Sequence, residues 1–122
     1  MKFYYCDICG KVEILADDEK APVCCGKEMT NLEVKLVDTP NEKHTPVVSI
    51  DGNIVNVVMG SVLHPMEEAH HMVFVAMITN KGSKVVHLEK TGESRAKFIL
   101  EDGEKCESVY AYCNIHGLFK NI

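Results

Sequence analysis

In the stretch "AYCNIHGLFK", residues 111–120, a cysteine and a histidine, Cys113 and His116, stand three apart between aromatic residues. A thiolate and an imidazole so spaced can be two ligands of one metal ion, or a nucleophile beside its base. A nucleophile would also need a group to orient the base and donors to hold an oxyanion, and this segment offers neither. As metal ligands the pair is half a site, so its role depends on the other histidines and cysteines.

All six histidines lie after residue 43. His44 stands in a turn-rich stretch, and His64 and His70 bracket "HPMEEAH". If loops at one end of a β-sandwich converge, these side chains meet Cys113 and His116, giving four imidazoles and one thiolate. Five mixed donors exceed the four of a tetrahedral structural zinc site, leave a sixth position free and suit a redox iron centre. His70 and His71 are adjacent, so only one of them faces the site if a strand begins there. His87, within "KVVHLEK", reads as a surface or cross-strand residue. Cys106 reads as a half-buried strand thiol, and Met59, Met66, Met72 and Met77 as packing.

A second constellation lies near the start. "CDIC" places Cys6 and Cys9 at the Cys-x-x-Cys spacing that lets a tight turn aim two thiolates at one ion. Gly10 follows, suiting a knuckle whose amides turn toward the sulfurs. Cys24 and Cys25 in "VCCGKEM" are adjacent, and neighbours in extended chain point to opposite faces. Both can ligate one ion only if the backbone bends sharply, a freedom that Gly26 supplies. Four thiolates in tetrahedral array suit zinc or a single iron, and these residues alone leave that choice open.

The elements that must position these groups fall into two pieces. Cysteines dominate the first 25 residues, histidines the remainder, and the change coincides with the proline-bearing stretch "DTPNEKHTP", residues 38–46. We therefore expect a domain over residues 1–36, too small to fold unaided and stapled by a metal, and a second over 37–122. The second reads as strands: "PVVSI" and "IVNVVMG" across "DGN", "HMVFVAMIT" and "KVVHLEK" across "NKGS", "RAKFIL" and "CESVYAYC" across "EDGE". Short β-branched and aromatic runs with turn signals about every 8–12 residues predict an antiparallel sandwich. "HPMEEAHHM" reads as a loop. The 122 residues carry 46% apolar side chains and a net charge of −5, with no basic stripe, so nucleic acid is a poor partner. No apolar run approaches a membrane span, and the start lacks the apolar core of a signal peptide. A cytoplasmic location is expected, where cysteines serve as metal ligands rather than disulfides.

Together these residues resemble the desulfoferrodoxins, the two-iron superoxide reductases, over essentially the whole chain. "CDIC…VCCG" resembles desulforedoxin, whose third and fourth cysteines are adjacent. "NEKHTP", "HPMEEAH" and "YCNIHGLFK" resemble the neelaredoxin-type catalytic domain. The resemblance implies a mainly β fold, with a rubredoxin/desulforedoxin-like metal knuckle followed by an immunoglobulin-like antiparallel β-sandwich. It implies two iron ions: Cys6, Cys9, Cys24 and Cys25 hold an electron-relaying Fe(Cys)4 centre. His44, His64, His70 and His116 supply equatorial nitrogens of the catalytic iron, with Cys113 axial, and His70 rather than His71 takes the ligand place. Glu42 and Lys43 of "EKH" act at that site. The implied reaction is one-electron reduction of superoxide to hydrogen peroxide, with a rubredoxin-like electron donor and a homodimeric protein. The chain departs from the family pattern at Thr45, where valine is common, and in lacking tryptophan, Phe119 taking an aromatic place; neither is expected to touch a ligand. From the residues alone, a pure electron carrier or a zinc-stapled interaction module stay open, and metal content with a visible spectrum separates them.

Overall fold

The computed structural model describes residues 1–36, 44–59 and 66–121. Their regular structure is entirely β, and among them no helix is long and apolar enough to cross a membrane. Contacts divide the chain into two compact units, Met1–Glu33 and Val34–Ile122.

In the first unit, β1 (Lys2–Tyr5) pairs antiparallel with β2 (Val12–Leu15) on one side and β5 (Thr30–Leu32) on the other. A separate two-stranded hairpin joins β3 (Val23–Cys24) to β4 (Lys27–Glu28). Tyr4, Cys6 and Met29 form its buried cluster, with Leu15, Ala21 and Cys24 packed against it. Two of those six residues are cysteines of the candidate site. So thin an apolar centre leaves the unit dependent on whatever the cysteines bind.

The second unit contains two facing sheets. One has the order β10 (Gly82–His87), β9 (Met72–Thr79), β12 (Cys106–Cys113), β13 (Gly117–Lys120), β6 (Val34–Lys35). The other runs β11 (Arg95–Ile99), β8 (Ile54–Met59), β7 (Pro46–Asp51). Strict alternation on β8 sends Val55, Val57 and Met59 inward, and on β11 Ala96 and Phe98. They meet Met72, Val75 and Met77 of β9 and Val109, Ala111 and Cys113 of β12 in one core. Pairing is antiparallel throughout except for β6, which joins β13 in parallel.

The Gly52-Asn53 and Asn80-Lys81 turns close the expected hairpins β7–β8 and β9–β10, with Gly52 at φ 61°. The third expected hairpin does not form. β11 pairs with β8, and β12 pairs with β9 and β13, so residues 101–105 cross between sheets. The turn itself exists, with Glu104 N donating to Glu101 O at 3.0 Å. It is pinned to the β9–β10 turn instead of to a partner strand. The buried Glu104 carboxylate accepts from Thr79 Oγ1 at 2.7 Å, Lys84 Nζ at 2.9 Å and Glu101 N at 3.0 Å. Asn80 adds bonds to Gly103 O and from Lys105 N.

Two irregularities bend β12 against β9. One lies between Cys106 and Ser108; the other brings Cys113 opposite Met72 although Tyr112 opposes Phe74. The second inserts Val73 as an extra residue on β9, so Met72 rather than Val73 faces the core beside Cys113. A bulge placed there re-aims the chain that enters β9 from His70 and His71.

The Glu101 amide, with Lys84 and Thr79 adding to it, holds the Glu104 carboxyl at about 2, well below its ordinary 4.5. A depressed carboxyl stabilises the fold above the unfolded value and loses that contribution as pH falls through the folded one. Urea unfolding of the metal-free protein should therefore show stability declining between about pH 4.5 and about pH 2. Glu104→Gln should be less stable at neutral pH and flatter across that window.

Candidate metal centres

The four sulfurs of Cys6, Cys9, Cys24 and Cys25 all lie within 4.8 Å of one another. Cys6 follows β1, and the turn after it closes through Gly10 N donating to Cys6 O at 2.8 Å and Cys6 N donating to Lys11 O at 2.9 Å. The amides of Cys9 and Ile8 turn toward the Cys6 sulfur; the Cys9 amide leads in drawing the Cys6 thiol down to about 6, against the opposing effect of burial. Cys24 is pushed up to about 12, first by its contact with Cys9 and then with Cys6, because neighbouring sulfurs share the last protons. The adjacent pair is accommodated by the β3–β4 turn. Cys24 is the last residue of β3, and Cys25 and Gly26 form the turn with φ of 54° and 75°. Two positive φ values in succession are the requirement of a type I′ hairpin. The bend thus falls on Cys25 itself as well as on Gly26, at a cost of order 1–3 kcal/mol for a non-glycine residue.

A tetrahedral ion with bonds of about 2.3 Å to sulfur needs sulfurs about 3.8 Å apart. Cys9 and Cys24 stand 3.5 Å apart and Cys24 and Cys25 3.9 Å. The donor set fits a tetrahedral thiolate-bound ion.

The second group gathers His44, His70, Cys113 and His116, again with one donor atom from each inside 4.8 Å. Cys113 ends β12 and is wholly buried. His116 lies in the turn to β13, its Nδ1 3.8 Å from Cys113 Sγ. Cys113 pairs with Gly117 across that turn, and Gly117 takes φ 101°, a value L side chains rarely adopt. His44 precedes β7 and is fully buried, its ring 4.7 Å from that of His116. His70 arrives from the segment leading into β9, its ring 5.1 Å from His116 in an edge-on arrangement. The Nε2 atoms of His44 and His70 are buried and make no hydrogen bond within the described residues. One thiolate with several imidazoles, drawn from three separate segments, suits a transition metal such as iron. His64, Glu42 and Lys43 lie outside the described residues.

His71 turns away from this group, its Nδ1 3.0 Å from Glu67 O. His87 is exposed on β10 beside its cross-strand partner Phe74. Cys106 is half-buried, and desolvation raises its thiol. Phe119 corrects an expectation, because it does touch a ligand residue. Its ring stacks on His44 at 4.6 Å with the planes 12° apart, a contact worth about 0.5–1.5 kcal/mol beyond simple burial. Buried on β13 under His44, this aromatic residue fixes one imidazole plane. Two other residues carry no signal in the motif spacing. Lys35 on β6 donates to His116 O and sits 5.8 Å over the Phe119 ring. Asn114 bonds the segment around His70. Both contacts join residues more than 40 positions apart.

Residues 36–122 match the family model described as Desulfoferrodoxin. The chain belongs to the desulfoferrodoxin family. A desulfoferrodoxin homolog of Archaeoglobus fulgidus is 39% identical over 122 residues, covering 99% of this chain and 96% of its own. The superoxide reductase of Treponema pallidum has a crystal structure that superposes with a TM-score of 0.85 at 28% identity, over 99% of this chain and 97% of that one. The 1Fe superoxide reductase of Giardia intestinalis matches 66% of this chain and 96% of its own at a TM-score of 0.53 and 34% identity.

Two donor groups predict two independent ions. Replacing Cys9 by Ser should lower the metal bound per chain from about two to about one, measured by elemental analysis. The same variant should lose thermal stability, because Cys6 and Cys24 belong to the first unit's thin buried cluster.

Proposed function

We propose that this chain is a superoxide reductase that carries out its chemistry at the histidine–cysteine centre, with the four-cysteine centre relaying electrons to it. The observation that carries the reading is the wholly buried Cys113 held with three imidazoles, in a family whose solved relatives are superoxide reductases. Iron, when bound at each centre, supplies one-electron redox chemistry and, at the second, a coordination position for a small anion. The balance is superoxide plus one electron and two protons giving hydrogen peroxide, with no dioxygen formed.

The chain's own residues set the conditions. Cys113 supplies an anionic, electron-rich donor from inside the sandwich core, where no water competes for it. His44, His70 and His116 supply neutral nitrogens, and the stack on Phe119 fixes the plane of the first. We place His64 with them as the fourth imidazole. Lys43, next to His44, brings a positive charge to the site, which an anionic substrate needs against a net charge of −5. It also orients a proton-donating water. Glu42, two residues before His44, would offer a carboxylate to the oxidised ion and so help clear product from the site. On this reading residues 1–36 are the relay domain and 37–122 the catalytic one, with β6 (Val34–Lys35) pairing into the catalytic sheet. A rubredoxin-like protein as donor and a homodimeric assembly, both implied by the family resemblance, complete it, with a cytoplasmic location in keeping with cysteines used as metal ligands.

The test is an anaerobic superoxide pulse on the reduced, iron-loaded protein, with peroxide and dioxygen followed together. One peroxide per superoxide without dioxygen is expected; dioxygen released in step with peroxide, as in dismutation, or no consumption of superoxide would overturn the reading. Lys43→Ala should slow superoxide consumption by about tenfold and weaken its salt dependence. An unchanged bimolecular rate across ionic strengths would remove Lys43 from the steering role.

A further inference from the structure

We infer that Asn114 is a positioning residue of the second centre: its carboxamide fixes both peptide groups that flank the Cα of His70, locking that imidazole to the turn carrying Cys113 and His116. The inference rests on the reading of this centre as a metal site.

The backbone polar atoms on either side of the His70 Cα each have a partner. Two peptide groups meet at its Cα, and they carry four such atoms: Ala69 O, His70 N, His70 O and His71 N. His70 N donates to Glu67 O at 3.1 Å, and His70 O accepts from Glu67 N at 2.9 Å. One side chain takes the other two. Asn114 Nδ2 donates to Ala69 O at 3.0 Å, and Asn114 Oδ1 accepts from His71 N at 2.9 Å. The Asn114 backbone adds a third link, its N donating to His71 O at 3.2 Å. His71 closes the loop on itself through its ring and Glu67 O.

Peptide groups are rigid planes, so the backbone conformation at His70 is set by how the two planes are turned about its Cα. Asn114 and Glu67 hold both planes, leaving the imidazole only its side-chain torsions. The task calls for one donor and one acceptor on the same short, planar group, which is what a carboxamide offers. Aspartate at pH 7 keeps the acceptor and loses the donor; alanine keeps neither. Asn114 also follows Cys113 directly and stands two residues before His116. One residue therefore ties two ligand-bearing segments, 43 to 45 positions apart in the chain, that must agree closely in position. The adjacent histidines acquire separate duties: the His70 ring faces the centre, while the His71 backbone and ring brace it.

The experiment follows iron release to excess chelator from the iron-loaded full-length protein, reading the thiolate-to-iron absorption of each centre separately, alongside thermal unfolding of the metal-free protein. Asn114→Ala should release iron from the histidine–cysteine centre about ten- to a hundredfold faster, the usual effect of losing a residue that orients a ligand. Release from the four-cysteine centre should keep the wild-type rate, and Asn114→Asp should fall between wild type and Ala. Release within twofold of wild type would overturn the inference, and so would equal acceleration at both centres, which signals general loosening. Should the Ala variant fail to fold, Asp decides: selective acceleration supports the positioning role and wild-type release refutes it. A wild-type protein that holds iron only at the four cysteines would refute the reading of the second centre itself, a result distinct from these.

Discussion

The constraint on which the second unit depends is the burial of the Cys113 sulfur. A thiolate inside an apolar core is costly unless a cation neutralises it, and Cys113 belongs to the same cluster as Val55, Met59 and Met77. The core and the metal site are thus one structure. The residues that pack β8 against β12 also set where the sulfur sits, and the bulge at Val73 that lets Met72 pack beside it also turns the chain toward His70. An ion bound there neutralises the sulfur and joins three chain segments, so its binding energy is also folding energy. The imidazoles depend less on the sheet. His44 is held by a stack on Phe119, His116 by a tight turn, and His70 by its flanking hydrogen bonds.

The first unit solves a different problem with a different device. It has too little apolar surface for a core, and it places two ligands on consecutive residues. The β3–β4 hairpin turn resolves the second difficulty, because positive φ at both Cys25 and Gly26 reverses the chain between the two sulfurs. Strain at Cys25 persists only where surroundings enforce it, and four sulfurs around one ion do so. A centre closed on all sides by protein sulfur has no place for a substrate and suits electron transfer, while a centre of mixed donors can leave one.

Much of this was legible in residue types and spacing. Asp-Gly between apolar runs marked the β7–β8 hairpin, and alternation marked the buried faces of β8 and β11. Cys-x-x-Cys, the adjacent cysteines and Cys-x-x-His marked donors, because ligand chemistry restricts residue type so severely. "EDGE" misled for a physical reason. It does form a turn, but a turn signal says that the chain reverses and not which strand it then meets. Here the Glu104 carboxylate fastens the turn to Thr79 and Lys84 of a neighbouring hairpin, and β12 enters the other sheet. Two-residue β6 was equally invisible, since its parallel pairing with β13 is non-local and has no sequence period.

Glu104 and Asn114 show a common rule. Each is a polar residue in or beside a turn, where such residues are ordinary and carry no signal of their own. Each also reaches a segment far away in sequence with its side chain, and that distant contact cannot be seen from its neighbours. A ligand must be a particular element at a particular atom, which shows in the sequence. A residue that holds a ligand in place need only supply a donor or acceptor where the backbone lacks one, and several residue types can do that at many positions. The motif "YCNIH" therefore announces its sulfur and its imidazole plainly, while the asparagine between them becomes informative only once Ala69 and His71 are found within reach of its carboxamide.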